Sequence, residues 1–253
     1  MNKKRKSKLI ISLVLVLAVA ILGTSISVFS NELFIKKTDA YVFPITPDNT
    51  EEWRKLQSLD EKIEVCQVPE DILKNMSTEG LLETCFNYPL YINLVAYNSL
   101  QQGFDSLCTF NGLQELLNRP DAGKCILKYY KNLDLGKLAK NHDAPTLHII
   151  FIETLLSQDA ILSNMEQSKR SEVLDVSINK AKTKRNKFAD IYAERTSAFL
   201  IGRVLKKDNP DFKEYLKKNE KIKKFIDKGE NVNVTQEEWD GIVKKFGYLG
   251  KEK

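Results

Sequence analysis

The stretch Arg119-Pro-Asp-Ala-Gly-Lys-Cys-Ile-Leu-Lys-Tyr129 decides the fold class. Pro120 stands where the first turn of a helix tolerates proline, because the N–H that proline lacks has no helical partner there. The apolar residues that follow recur with the 3.6-residue period of an α-helix, at Ala122, Cys125, Ile126 and Tyr129. The stretch therefore predicts a short amphipathic helix that begins after a proline.

The same signals recur over residues 46–133. Further prolines stand at the expected helix starts Thr46-Pro47, Val68-Pro69 and Ala144-Pro145. Stripes with helical spacing are Trp53, Leu56, Leu59 and Ile63, then Leu81, Leu82, Cys85 and Phe86, then Leu100, Phe104, Leu107 and Cys108. With turns at 75–78, 87–89 and 118–120, we expect about five or six short helices in an irregular, HEAT-like stack of helical hairpins.

Longer helices are expected after residue 146. They are Leu147–Leu162, a long segment from about Ser168 to Lys206, and a helix from Pro210 to Gly229 with a lysine-rich outer face. Capping boxes are expected at Ser163–Glu166 and Thr235–Glu238, the second opening a last helix that ends at Gly247. Apart from a short strand candidate at Val232–Val234, no alternating segments exist to build a sheet, so the predicted fold class is all-α.

The amino terminus predicts export. Five cations, Lys3, Lys4, Arg5, Lys6 and Lys8, precede the uncharged stretch Leu9–Ser30. A basic cluster followed by an apolar segment keeps its amino end in the cytoplasm, so we expect the rest of the chain outside it. Two outcomes stay open: a signal peptide cut near residues 27–30, or a membrane anchor, because 22 residues of helix span about 33 Å.

We expect four segments: a signal peptide or anchor (1–30), a linker (31–45), a helical-hairpin domain (46–145) and a basic helical domain (146–253). From residue 31 onward, 34 basic residues balance 34 acidic ones, which argues against a nucleic-acid-binding protein. The balance is uneven along the chain. Residues 31–145 carry 12 basic and 17 acidic side chains, and residues 146–253 carry 22 and 17.

The four cysteines, Cys66, Cys85, Cys108 and Cys125, matter because an exported chain can form disulfides. Their spacing matches no metal or CxxC pattern. Most of them fall on the apolar stripes, where cysteine packs as a small hydrophobe, so buried free thiols are the first expectation and structural disulfides the alternative.

Few residues suit catalysis. The imidazoles are His142 and His148, whose spacing across a proline fits no zinc helix or other motif. No Gly-rich phosphate loop, no GxSxG elbow and no cluster of metal-ligating residues occurs, so the sequence predicts no catalytic residue, no metal and no cofactor.

The densest basic run, Lys180, Lys182, Lys184, Arg185 and Lys187, holds five cations within eight residues and no acid. Such a run usually forms a solvated helix face. The alternative, for a run delivered outside the cell, is contact with anionic lipid headgroups or an anionic wall polymer.

The stretches Cys66–Leu90 and Phe110–Gly123 resemble a module of secreted, functionally uncharacterised proteins of Gram-positive bacteria. The resemblance covers about residues 44–135 and implies export and an α-helical module, without a function. A later segment of some members brings Asn, Cys, His, Ser, Tyr and Trp together. This chain has no cysteine after Cys125 and no histidine after His148, so that segment's chemistry does not carry over.

Together these patterns predict a non-enzymatic, extracytoplasmic helical protein that binds or scaffolds a partner protein or an envelope component, and that contacts the membrane through residues 9–30 if they are not cleaved. Two alternatives stay open. One is an envelope hydrolase that uses a cysteine with His142 or His148, and the other is a freely secreted factor that acts on neighbouring cells.

Overall fold

The computed structural model describes residues 39–48, 50–138, 144–187, 191–230 and 234–247. All regular structure in these ranges is helical, and the single β contact is an isolated bridge between Ser99 and Glu230. The all-α prediction is confirmed. The expected signal or anchor (1–30), most of the linker and most of the Val232–Val234 strand candidate lie outside the described residues, and no described helix is both long and apolar enough to cross a membrane.

Residues 50–138 form more short helices than the five or six expected over 46–133, with eight up to Asn132 when the 3₁₀ helix is counted. Several of them begin or end at the predicted turns. The helices are α1 (Thr50–Lys55), α2 (Leu59–Val65), α3 (Glu70–Asn75), α4 (Thr78–Phe86), a 3₁₀ helix (Tyr91–Val95), α5 (Leu100–Leu107), α6 (Asn111–Asn118), α7 (Ala122–Asn132) and α8 (Leu135–Leu138). Serine side chains cap three starts. Ser58, Ser77 and Ser99 each accept a hydrogen bond from an N–H in the first turn of the helix that follows.

The second half contains α9 (Ala144–Leu156), α10 (Asp159–Ser163), α11 (Gln167–Lys187), α12 (Ile191–Asp208), α13 (Pro210–Lys217), α14 (Glu220–Lys228) and α15 (Gln236–Phe246). The capping box at Thr235–Glu238 is confirmed, and Gly229 ends α14 in the left-handed conformation with φ 62°. The box at Ser163–Glu166 is wrong, because Ser163 is the last residue of α10 and not a cap of α11.

All three of the predicted long helices are divided. The segment 147–162 divides into α9 and α10 at Ser157 and Gln158. The segment 168–206 forms the antiparallel pair α11 and α12, in which Arg170 binds Asp208 near one end and Lys184 binds Ser197 near the other. The segment 210–229 divides into α13 and α14 at Lys218 and Asn219. In each case the shorter helices bury apolar residues against neighbouring helices.

A single hydrophobic core runs from Phe43 to Phe246. At its centre lies α9, whose residues from Ile149 to Leu156 are all buried and which packs against α12, α7 and α5. A helix that is apolar all round belongs in the interior. Helices before and after residue 146 therefore contribute to the same core, which the predicted boundary between the acidic and the basic segment does not divide.

Candidate functional site

The most concentrated polar cluster of the described residues lies inside the core. Glu153 of α9 forms an ion pair with Lys184 of α11 (2.5 Å), and both side chains are 0% exposed. The remaining capacity of the carboxylate is filled by hydroxyl donors: Tyr130 at 2.5 Å and Ser197 at 2.9 Å on one oxygen, and Thr196 on the other. We call these five residues the buried network.

The buried network joins the central helix to three others. Tyr130 comes from α7, Lys184 from α11, and Thr196 and Ser197 from α12, so the Glu153 carboxylate is held from three sides. Burial lowers the pKa of Lys184, and the adjacent carboxylate opposes that shift. Burial also raises the pKa of Tyr130 well above its usual range, and Glu153 adds to the effect because a second negative charge beside it is unfavourable.

The Lys184 ammonium also donates to the Ser197 hydroxyl at 2.8 Å. In an open cleft a neutral lysine beside a serine can activate that hydroxyl as a nucleophile. Here both residues are fully buried, and Lys184 is bound to a carboxylate that favours its charged form. The arrangement in this structure therefore serves packing and the pairing of buried charge, and it offers no surface to a substrate.

The four cysteines are free thiols in the structure. Burial raises the pKa of Cys66 and Cys108 to about 11 and that of Cys125 to about 12, and it raises the pKa of Cys85 further. All four therefore stay protonated at neutral pH, the opposite of what a nucleophilic thiolate requires.

His148 is held in an aromatic cluster. Its ring stacks on Phe86 with centroids 4.4 Å apart, and Tyr91 contacts it edge-on. Burial lowers the pKa of His148 to about 4, because the imidazolium form would lose its hydration. It stays neutral at pH 7. The other histidine, His142, lies outside the described residues. In the described ranges no three His, Cys, Asp or Glu side chains lie close enough to hold a metal ion.

The structure corrects part of the prediction made for the basic run of residues 180–187. Lys184 lies in the core, so it cannot contact an anionic surface. Lys180 is partly buried and donates to the carbonyl oxygen of Leu133 (2.8 Å), and Arg185 pairs with Asp240 (3.0 Å). Lys182 is exposed, and the side chain of Lys187 lies outside the described residues. Most of the described cations in this run therefore already have partners within the protein.

A second set of lysines does reach solvent. We define the lysine face as the exposed lysines of α13, of α14 and of the short connection between them: Lys213, Lys217, Lys218, Lys221, Lys224 and Lys228. Both helices bury apolar side chains on the opposite side, Phe212 and Leu216 in α13 and Ile222, Phe225 and Ile226 in α14. Amphipathic periodicity therefore determines which side of each helix carries the lysines.

Three of the six lysines in the lysine face form ion pairs with carboxylates of the protein. Lys217 pairs with Glu214 (2.6 Å), Lys221 with Glu238 (3.1 Å) and Lys228 with Glu230 (3.6 Å). Lys213, Lys218 and Lys224 form no ion pair with any described residue. These three ammonium groups are the ones available to an external anion.

The sequence predicts lysines on the outer side of residues 210–229, but it does not distinguish the lysines that form ion pairs from those that do not. The buried network was not predicted. A signal for the network was present, since Glu153 is the single carboxylate within the apolar helix α9 and a buried carboxylate requires donors or a cation.

Comparison of the chain with models of known protein families, with curated proteins and with solved structures found no match. The resemblance over residues 44–135 therefore stays a prediction.

Proposed function

We propose that this chain is a non-enzymatic helical binding protein of the cell envelope. In this proposal residues 1–30 carry the body out of the cytoplasm and anchor it, and the lysine face rests on the anionic lipid headgroups of the same membrane. The observation that carries the proposal is the set of three exposed lysines, Lys213, Lys218 and Lys224, without an ion-pair partner among the described residues. The body, an irregular stack of helical hairpins, is the platform that presents other surfaces to a partner protein.

The strength of the expected attraction favours an anchored protein over a freely secreted one. Each lysine near an anionic bilayer contributes about 1 kcal/mol, so three contribute about 3 kcal/mol, or roughly a hundredfold. That is too weak to recruit a dilute soluble protein. The body is tethered to residue 30 through residues 31–38, because Asp39 already binds Ser77 and Phe43 lies in the core. The local concentration of lipid is then high enough for weak contacts to orient the body.

The hydrolase alternative has less support. The pKa values of the four thiols are raised, and His148 is stacked on Phe86 with a lowered pKa. A Cys–His pair needs the reverse, a thiol with a lowered pKa beside an accessible imidazole. Cys→Ala variants and His142→Ala that fold normally are expected to leave any cellular phenotype intact.

Cell fractionation tests the export half of the proposal. We expect the full-length chain in the membrane fraction, with its native amino terminus and with its body cut by protease added to intact cells. A processed chain in the culture medium that begins near residue 30 would favour the secreted factor. An intact chain in the soluble cytoplasmic fraction would contradict export altogether.

The lipid half is tested on the full-length chain reconstituted into nanodiscs. We expect hydrogen–deuterium exchange in α13 and α14 to be slower on phosphatidylglycerol-containing discs than on phosphatidylcholine discs, and the difference to vanish at about 0.5 M salt. Combining Lys213→Gln, Lys218→Gln and Lys224→Gln should abolish the difference between the two kinds of disc.

The matched control replaces three exposed lysines of the other half, Lys55, Lys124 and Lys128, by glutamine, and should preserve the difference. Equal exchange on both kinds of disc would overturn the lipid contact, and retention by isolated wall polymer instead would identify the competing partner.

A further inference from the structure

Apart from the lysine face, the molecule has a pocket of about 340 Å³ where α5, α6, α10, α12 and α14 meet. Apolar side chains line part of it, namely Phe104, Leu117 and Ala160. Its charged lining consists of Arg203 and the carboxylates Asp105, Asp159 and Asp227. Small-molecule sites combine an apolar wall with a few convergent polar groups in this way.

Arg203 is held rigidly in the pocket lining although it is a charged residue. Its residue exposure is 8%, and its guanidinium lies over the Phe199 ring at 4.9 Å. One terminal nitrogen, Nη2, donates to Gln101 Oε1 (2.9 Å) and to the Asp227 carbonyl oxygen (2.7 Å). The Nε atom is buried without a hydrogen-bond partner, and Nη1 faces Asp159 at 3.6 Å, too far for a hydrogen bond. Part of this buried cation is therefore unsatisfied.

The carboxylates differ in how much capacity they have left. Asp227 is bound by Lys206 and Lys223, both at 2.6 Å. Asp105 accepts from Gln101 Nε2 at 2.8 Å. The side chain of Asp159 is 80% exposed, and its one ion pair among the described residues is the long contact to Arg203. An incompletely paired cation thus lies beside an exposed and incompletely paired anion, Asp159.

We propose that the pocket binds a free α-amino acid, whose carboxylate accepts from Arg203 Nη1 and whose ammonium group donates to Asp159. The ligand takes the place of the loose Arg203–Asp159 contact and satisfies both partners. Because the two protein charges lie close together, the ligand's opposite charges must also be close, as they are when both groups share one carbon. The apolar wall of Phe104, Leu117 and Ala160 receives the ligand's side chain, and the rigid guanidinium makes the carboxylate contact directional.

The test is the thermal unfolding of the full-length chain in neutral-lipid nanodiscs, with each of the common α-amino acids at about 10 mM. A ligand that binds only the folded state raises the unfolding temperature, and we expect at least one amino acid to raise it by about 2 °C or more. Its N-acetyl derivative and its amide, which each lack one charge, should give no rise.

Variants localise the effect. Asp159→Asn, a change at an exposed side chain that should not affect folding, is expected to remove the rise, and so is Arg203→Gln if that variant folds. The matched control is the Arg185–Asp240 pair outside the pocket, where Arg185→Gln and Asp240→Asn should leave the rise intact. The proposal is overturned if no amino acid raises the unfolding temperature, if the charge-blocked derivatives act equally well, or if Asp159→Asn responds like the unsubstituted chain.

Discussion

The lysines of residues 180–187 and those of residues 213–228 are similarly dense in the sequence, yet the fold uses them in opposite ways. In α11, Lys184 is fully enclosed and Lys180 and Arg185 are bonded within the protein. In residues 213–228, six lysines are exposed, and three of them have no ion-pair partner among the described residues. Charge density along the chain therefore does not identify a binding surface. A cation is available to an external partner when it lies on the exposed side of its helix and no carboxylate of the protein pairs with it.

The largest effect is expected from removing the buried cation. Lys184→Met leaves the Glu153 carboxylate in the core with hydroxyl donors but without a positive charge, and we expect the free energy of unfolding to fall by about 3–5 kcal/mol. Lys182→Met, two residues away and exposed, is the control and should change it by less than about 0.5 kcal/mol. Urea unfolding followed by circular dichroism measures both. Equal stabilities of the two variants would mean that Lys184 is not buried as a charge.

His148 differs from Lys184 in that its side chain must stay neutral in the folded chain. The pKa of His148 is about 4 in the folded chain and about 6.5 in the unfolded chain. Between these values the unfolded state binds more protons, so stability is full above about pH 6.5 and is lost as the pH falls toward 4.

We expect this loss to amount to about 3 kcal/mol at pH 4. His148→Phe, which keeps a ring against Phe86 and cannot be protonated, should show a correspondingly smaller loss of unfolding free energy between pH 7 and pH 4. The measurement is denaturant unfolding at both pH values, and parallel losses in the two proteins would refute the assignment.

Gly229 tests how firmly the lysine face is attached to the rest of the molecule. Its φ is 62°, and a Cβ atom there would lie 2.6 Å from the Cβ of Leu100. Gly229→Ala should therefore destabilise the chain by about 2 kcal/mol, from the left-handed conformation and the crowding together.

The control for this substitution is Gly241, which lies in α15 with a normal backbone and open space around it. Gly241→Ala should stabilise the chain by about 0.5–1 kcal/mol, because alanine is the better helix former. Thermal unfolding of the two variants should shift in opposite directions, and shifts of the same sign would contradict the geometry at Gly229.

The smallest effect on stability is expected at the lysines proposed to matter most for binding. Lys213→Gln, Lys218→Gln and Lys224→Gln should each change the free energy of unfolding by less than about 0.5 kcal/mol, because exposed and unpaired side chains contribute little. Urea unfolding of the single variants checks this. A loss above about 1 kcal/mol at any of them would reveal an internal partner and remove that lysine from the lysine face.

The fold class and several helix ends could be predicted from the sequence because their signals are local. The capping box at Thr235, the left-handed Gly229 and the helix ends at Asn75, Phe86 and Asn118 all depend on residues within one or two turns. The expected helix over 210–229 differed because Asn219 interrupts it, a break that the apolar periodicity does not reveal.

The functional residues were harder to predict because their partners are distant in sequence. Glu153 and Lys184 are 31 residues apart, and Gln101 and Arg203 are 102 apart. No spacing rule connects such pairs. The sequence did show one carboxylate, Glu153, within the apolar helix α9. A buried carboxylate requires a donor or a cation, but the sequence does not identify the residue that supplies it.

Residue-resolved acetylation of lysines in the native full-length chain distinguishes the enclosed Lys184 from the exposed lysines. We expect Lys184 to stay unmodified until the protein unfolds, and Lys213, Lys218 and Lys224 to react rapidly on neutral nanodiscs and more slowly on anionic ones. Rapid acetylation of Lys184 in the folded chain would refute its burial, and equal rates for the three exposed lysines on both kinds of disc would refute their contact with lipid.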